Sequence, residues 1–362
     1  MPEIGLEGQQ RLRASCVLIV GAGGLGTPAA TYLAAAGVGR IGIVDFDVIE
    51  ESNLHRQVLY SEEDIGRSKA DVIKERLAKV NPFVLVKTYK TRLDSSNALG
   101  ILRDYDVVLD GTDNFPTRYL VSDASVLLGK PNVYASVFRF DGQVSVFYAK
   151  EGPCYRCLYP EPPPPGMVPS CAEGGVLGVL PGIVGSIQAA QTINILLKTG
   201  QPLVGRLLLF NAVDATFREL ALMKNPDCPI CGSNPTIKEL IDYGAFCGTE
   251  EQDKLEAEQE VSAKTVEDWL NRGREIVLLD VREPYETQIC SLEGSMLIPL
   301  GELPRKVNEL DTADEIVVYC RSGARSAKAV RFLTSLGFKK AKNLTGGIVA
   351  WAQDVDPSFP AY

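Results

Sequence analysis

The sequence predicts two α/β domains in tandem, a large doubly wound one of Rossmann type followed by a smaller one. Three observations carry this reading. The string GAGGLG (residues 21–26) directly follows a short apolar run and opens a helical stretch, as a strand–turn–helix unit does. Two further apolar runs, IVLLDV and IVVYC, stand near the C-terminus with a helical stretch behind the second. Between the two regions lies TEEQDKLEAEQE, highly charged and almost free of large apolar residues, which reads as a linker. The chain has 362 residues, more than one ordinary domain needs, and 45% of them are hydrophobic, enough for two cores.

The elements follow in order. CVLIV (16–20) is a buried strand, residues 27–36 a helix stopped by Gly37, and IGIVDFD (41–47) the next strand. Further strands are predicted at 83–89, 107–110, 132–135 and 143–148, and residues 69–79 have a helical period. PEPPPPG (160–166) admits neither helix nor central strand and reads as a stiff polyproline-like crossing. Late strands at 206–210 and 217–222 close the domain. In the second domain VEDWL begins a helix, 276–281 and 316–320 are buried strands, and 326–336 is an amphipathic helix.

Composition removes several classes. A net charge of −9 gives no basic footprint for nucleic acid. MPEIGLEGQQ lacks the basic-then-apolar pattern of a signal peptide. The longest apolar run, 176–197, contains Pro181, Gln188, Gln191 and Asn194 and is read as a core helix rather than a membrane span. Nine cysteines, an odd number in a long chain, are not a secreted disulfide framework, and a reducing cytoplasm is expected.

Gly21, Gly23 and Gly26, with Gly24 between them, make a turn whose N–H groups and following helix face a phosphate. Asp45 ends the next strand, where a carboxylate accepts from ribose hydroxyls, and Asp47 follows it. Alone, this favours a nicotinamide-binding dehydrogenase. Asn53, Arg56, Gln57 and Lys69 come next, and then Asp113 and Asn114 in GTDN. Cations for phosphates and a carboxylate for Mg²⁺ are what nucleotidyl transfer from ATP needs.

GAGGLG, VDFD, SNLHRQ, DIGRSKA, DGTDNFPTRYL and SCAEGGVLG, in that order, resemble the MoeB/ThiF branch of the E1-like activating enzymes, over about residues 5–244. The resemblance implies an E1-type adenylation domain that activates the C-terminal glycine of a ubiquitin-like sulfur-carrier protein of the MoaD/ThiS type. Asp45 would hold the ribose, Asn53, Arg56, Gln57 and Lys69 would line the phosphates, and Asp113 would hold Mg²⁺. It also implies a homodimer. In relatives an arginine from a segment ahead of PEIGLEGQQ reaches the other subunit's ATP site. This sequence opens at Met1-Pro2-Glu3, so either the natural start lies upstream or another residue supplies that charge.

Two CxxC pairs, Cys154 with Cys157 and Cys228 with Cys231, offer the four thiolates that tetrahedral Zn²⁺ prefers. A redox CxxC is the rival reading. The resemblance supports structural zinc, and four thiolates leave no open position for catalysis. Read alone, Cys171 in MVPSCAEGGVLG fits a buried free cysteine as well as a mobile reactive thiol. The resemblance gives it an attack on the activated glycine or its acyl disulfide.

Cys320 ends a strand, and RSGARS runs straight into a helix, so loop N–H groups converge on the sulfur. Such a setting stabilises a thiolate or persulfide anion, and Arg321 and Arg325 add positive potential. DVREPYE, GSMLIPL, CRSGARS and GGIVAWAQDVDPSFPAY resemble rhodanese over residues 263–362. A phosphatase loop has five residues between its cysteine and arginine. Here there are four, 321–324, a ring sized for one sulfur atom. The lone histidine, His55, lies in the nucleotide region, so the small domain has no histidine base.

The expected organisation is residues 1–244 for adenylation, 245–262 as linker and 263–362 as the rhodanese-like domain. The catalytic set is Cys320, Cys171, Asp113, Arg56 and Arg325. A cysteine desulfurase or similar persulfide donor would load Cys320, and molybdopterin, thiamine, cysteine and tRNA-thiolation routes all use such carriers. Two rivals stand beside this reading. One is a NAD-linked oxidoreductase fused to a sulfurtransferase, which would bind nicotinamide. The other is a non-catalytic docking scaffold, which would bind carrier without releasing pyrophosphate.

Overall fold

The computed structural model describes residues 1–2, 4–163, 175–248, 255 and 257–360. The chain divides into two compact units, one ending at Cys247 and the other running from Gly248. The end of the expected polyproline crossing (164–166) and Cys171 lie outside the described residues.

The first unit holds an eight-stranded sheet in the order β3-β2-β1-β4-β5-β6-β7-β8. β1 (Cys16–Val20), β2 (Arg40–Val44), β3 (Leu85–Tyr89), β4 (Val107–Asp110) and β5 (Asn132–Phe138) are parallel. β6 (Asp141–Phe147), β7 (Arg206–Asn211) and β8 (Thr216–Ala221) continue antiparallel. The order reverses beside β1, so the ends of β1, β2 and β4 open on one crevice, where open α/β sheets bind ligands. β3 starts two residues later than expected because Asn81 Oδ1 accepts from Phe83 N and leaves Phe83 exposed in a turn.

The helix Val179–Leu197 is long and apolar enough to cross a membrane. It packs instead on β5, β6 and the helix Gly26–Ala36. Its buried Gln188 donates to the carbonyls of Asp110 and Val133 at 2.8 and 2.9 Å, pinning it to β4 and β5.

The helix Phe115–Leu128 was not anticipated. Asn114 caps it by accepting from Thr117 N, and Pro116 sits in its first turn. Its buried face carries Arg118, Ser122, Asp123 and Ser125 among the apolar residues, which hides a helical hydrophobic period. Asp123 forms a bidentate pair with Arg156, and both side chains are essentially unexposed. Tyr243 donates to the same carboxylate at 2.9 Å. The guanidinium lies over the rings of Tyr119 and Phe246.

The second unit has a five-stranded parallel sheet in the order β11-β10-β12-β13-β9. β10 (Val277–Asp280) and β12 (Ile316–Tyr319) are the runs legible in the sequence. β9 (Glu260–Val261), β11 (Met296–Leu297) and β13 (Lys342–Leu344) are too short to show a period. β9 pairs with β13, so residues expected at the end of the linker belong to this sheet. Glu260 fixes them there by accepting from Asn343 and Thr345.

Breaking a buried ion pair from one side leaves an uncompensated charge and costs about 3–5 kcal/mol. Arg156→Met is expected to lower the unfolding free energy of the first unit by that order in urea titration. The double change Arg156→Met with Asp123→Leu is expected to recover much of it.

Candidate functional site

The glycine turn sits between the end of β1 and the helix Gly26–Ala36. Gly21 has φ +95°, a left-handed conformation that favours glycine. A Cβ on Gly26 would overlap the Gly21 carbonyl oxygen, so helix and turn meet without room for a side chain. Asp45 folds back onto this turn. Its Oδ2 accepts from Ala22 N at 2.7 Å and its Oδ1 from Asp47 N at 2.8 Å. Burial pushes the Asp45 carboxyl up, against the lowering effect of those two backbone donors. Tyr60 donates to Ala22 O at 2.8 Å from below the turn, and its burial pushes its hydroxyl up.

Lys69 reaches back to Asp47, Nζ to Oδ2 at 3.0 Å. The lysine is buried while the aspartate is half exposed. Asn53 and Gln57 are buried in the same region. Gln57 Oε1 has no hydrogen-bond partner, and Gly23 faces the Gln57 amide nitrogen. Arg56 is held through Nη1 on Ser52 O at 2.8 Å. Gly24 lies against Pro181.

The GTDN segment follows β4 and touches the glycine turn directly. Gly111 N donates to Val20 O at 2.9 Å, and a Cβ on Gly21 would stand 2.8 Å from Gly111 O. Asp113 is exposed at this junction, with no hydrogen bond to its carboxylate among the described residues. The Asn114 side chain, placed in the nucleotide set from sequence, is spent on capping its helix. The structure thus gathers the glycine turn, Asp45, Lys69 and the Asp113 turn at one crevice. Sequence reading gave no role to Tyr60, nor to Asp110, Thr112 and Arg118 within the DGTDNFPTRYL string, although all four support that crevice from beneath.

Cys154, Cys157, Cys228 and Cys231 form one cluster, all four Sγ atoms within 4.8 Å of one another. Cys154 lies 3.5 Å from Cys228, and Cys157 3.4 Å from Cys231. These separations are too long for disulfides and close to the ~3.8 Å edge of a tetrahedron with metal–sulfur bonds of about 2.3 Å. Asn225 N donates to Cys157 Sγ, as outer-shell donors do to ligating thiolates.

In the second unit Cys320 follows β12 and precedes the helix Ala324–Ser335. It is 1% exposed. Gly323 N donates to its Sγ at 3.2 Å, and Ser326 Oγ stands 3.4 Å from it, its one proton shared between the sulfur and the Gly323 carbonyl at 3.1 Å. Ile348 and Val349, from the helix Gly347–Asp354, donate to the carbonyls of Cys320 and Arg321 and turn the loop's oxygens away from the sulfur. Arg325, expected to add positive potential at the thiol, is paired with Glu286. Its two terminal nitrogens hold Glu286 at 2.6 and 2.7 Å, and both side chains are buried. Arg282 is likewise spent on Asp280 and the Cys290 carbonyl. The hydrogen bonds to the sulfur come from the Gly323 N–H and the Ser326 hydroxyl.

A crevice built for a nucleotide and a donor-lined thiol loop, in separate units, define a two-unit enzyme of activation and sulfur transfer. Residues 1–230 match the ThiF family and residues 262–354 the rhodanese-like domain. The chain belongs to the ThiF family and carries a rhodanese-like domain behind it. It is 46% identical, over all of its length and 93% of the relative, to a probable adenylyltransferase/sulfurtransferase MoeZ of Mycobacterium tuberculosis. It is 58% identical to a sulfur carrier protein adenylyltransferase of Thermus thermophilus, over 68% of this chain and 93% of that one. Its identity to the adenylyltransferase and sulfurtransferase MOCS3 of Mus musculus is 43%, over all of this chain and 85% of the relative. The crystal structure of E. coli MccB shares the activating fold at TM-score 0.57 and 24% identity, over 62% of this chain and 69% of that one. The protein is an ATP-using adenylyltransferase and a sulfurtransferase.

Gly347 has φ +58°, and a Cβ there would collide with the Cys320 carbonyl and stand 2.6 Å from that of Arg321. Gly347→Ala is expected to push the thiol loop off its donors and lower thiosulfate sulfurtransferase turnover by about tenfold or more. ATP binding by the first unit is expected to be unchanged in the same variant.

Proposed function

We propose that the protein adenylates the C-terminal glycine of a ubiquitin-like sulfur-carrier protein of the MoaD/ThiS type and converts it to a thiocarboxylate with sulfur from a Cys320 persulfide. The observation that carries this reading is the pairing, in one chain, of the nucleotide crevice with the Cys320 loop. Full-length relatives named for adenylyl and sulfur transfer support it. We assign residues 1–244 to adenylation, 245–262 to the tether and 263–362 to sulfur transfer.

In the first step the carrier carboxylate attacks the α-phosphorus of ATP and pyrophosphate leaves. Asp45 holds the ribose through its remaining lone pairs, and the N–H groups of the glycine turn face the phosphates. Asn53, Arg56, Gln57 and Lys69 line them, Lys69 by exchanging Asp47 for phosphate. The exposed carboxylate of Asp113 suits Mg²⁺, which keeps most of its ligands as water and phosphate oxygen. When bound there, the ion would neutralise the developing charge.

In the second step the terminal sulfur of the Cys320 persulfide attacks the acyl carbon and AMP leaves, giving an acyl disulfide. A second thiol, assigned to Cys171, attacks the Cys320 sulfur. Thiocarboxylate departs, and the resulting disulfide between Cys171 and Cys320 is reduced by an external thiol. The Gly323 N–H and Ser326 hydroxyl hold each departing or attacking sulfur anion at Cys320. A cysteine desulfurase or comparable donor loads the persulfide. An odd number of cysteines with no secreted disulfide framework supports a cytoplasmic location, and the family resemblance supports a homodimer.

The test is intact mass analysis of a MoaD/ThiS-type carrier incubated with the full chain, Mg-ATP and a persulfide donor. The expected result is the mass gain of one oxygen replaced by sulfur. Cys320→Ala is expected to abolish that gain while pyrophosphate release persists. A gain that survives in Cys320→Ala would assign the sulfur step elsewhere.

The four-thiol cluster is assigned to structural Zn²⁺. Metal analysis of the purified chain is expected to find one zinc ion per chain, lost in Cys154→Ser with Cys228→Ser. Loss is expected to lower the melting temperature of the first unit.

A further inference from the structure

Asp113 hangs on a turn that is fixed from several sides. Asp110 closes β4 and is 1% exposed. Its Oδ1 accepts from both Thr112 N at 3.0 Å and Thr112 Oγ1 at 2.6 Å. Thr112 O accepts from Arg118 Nη2 at 3.1 Å, and Asp110 O accepts from Gln188 Nε2 at 2.8 Å. Gly111 between them is pressed onto the nucleotide turn, where an added Cβ would meet Gly21 O, Val20 O and Gly26 N at 3.2–3.3 Å. Past Asp113, Asn114 is fixed as a helix cap. Asp113 is therefore the one exposed acid between two immobilised neighbours.

Asp110 Oδ2 has no partner, although it is buried. This carboxyl holds Thr112 with one oxygen. Burial also pushes it up, and the nearby Asp113 adds to this while Arg118 opposes it.

We propose that Asp110 is a positioning residue for the adenylation step, acting through Thr112 to present the Asp113 carboxylate to the metal-bound nucleotide. The proposal rests on the assignment of Asp113 as the Mg²⁺ ligand. Preorganising a group in this way removes the cost of ordering it when the ion arrives.

The experiment is binding of a fluorescent ATP analogue to the full chain, titrated with Mg²⁺, beside thermal melting of each variant. Asp110→Ala and Thr112→Val are expected to raise the Mg²⁺ midpoint, by about tenfold for the alanine, as loss of one or two hydrogen bonds to a fixed turn predicts. Asp110→Asn keeps the Oδ1 acceptor and is expected to recover most of that affinity. Asp113→Ala is expected to raise the midpoint further. A merely structural Asp110 would lower the melting temperature and leave the midpoint of the folded protein in place. Thr112→Val, which keeps volume and the backbone donor, covers the case in which Asp110→Ala does not fold. If Asp113→Ala shifts the midpoint while Asp110→Ala and Thr112→Val do not, the positioning role is overturned and the Asp113 assignment stands. If Asp113→Ala leaves it unchanged, the Asp113 assignment fails and takes the proposal with it.

Discussion

The buried pair of Asp123 with Arg156 is the constraint around which the activating unit is arranged. Two charges without solvent demand complete satisfaction, and here they receive it from each other, from the Tyr243 hydroxyl and from two aromatic faces. Asp123 lies on the helix Phe115–Leu128, whose N-terminal end carries the Asp113 turn. Arg156 lies between Cys154 and Cys157. One ion pair therefore ties the four-thiol cluster to the helix that begins at the nucleotide crevice. A four-thiol cluster can in this way matter to activation from outside the crevice.

The second unit also buries ion pairs. Arg325, read from sequence as positive potential beside the sulfur, pairs with Glu286, as Arg282 pairs with Asp280. The N–H of Gly323 and the hydroxyl of Ser326 reach the Cys320 sulfur directly. Donors of that kind suit a large, polarisable anion that must form and leave repeatedly, because they stabilise charge without pairing to it permanently. The arginines fix the loop, and the loop holds the sulfur.

Legibility followed physical cause. The parallel strands were readable because strands buried on both faces are continuous apolar runs, as CVLIV and IVVYC show. The glycine turn and the CxxC pairs were readable because their chemistry fixes spacing. The helix Phe115–Leu128 was not, since its inward face carries an arginine, an aspartate and two serines. β9, β11 and β13 were invisible because two or three residues hold no period. At the sites, residue types with a chemistry of their own were assigned roles from sequence, whereas Asp110, Thr112 and Tyr60 act through neighbours brought together by the fold. The pairing of Arg325 with Glu286 was not legible, because the two residues lie 39 positions apart in the chain.

The two sites also divide the electrostatic work in a way that one site could not. Phosphate activation calls for cations, and the first unit sets Lys69 and the exposed Asp113 carboxylate beside its glycine turn. A persulfide in such surroundings would be paired too strongly to act as a nucleophile. The second unit has no histidine to serve as a base, the chain's single one being His55. It therefore depends on donors that hold an anion already formed. Keeping phosphate cations and sulfur donors on separate folding units lets each be tuned without spoiling the other.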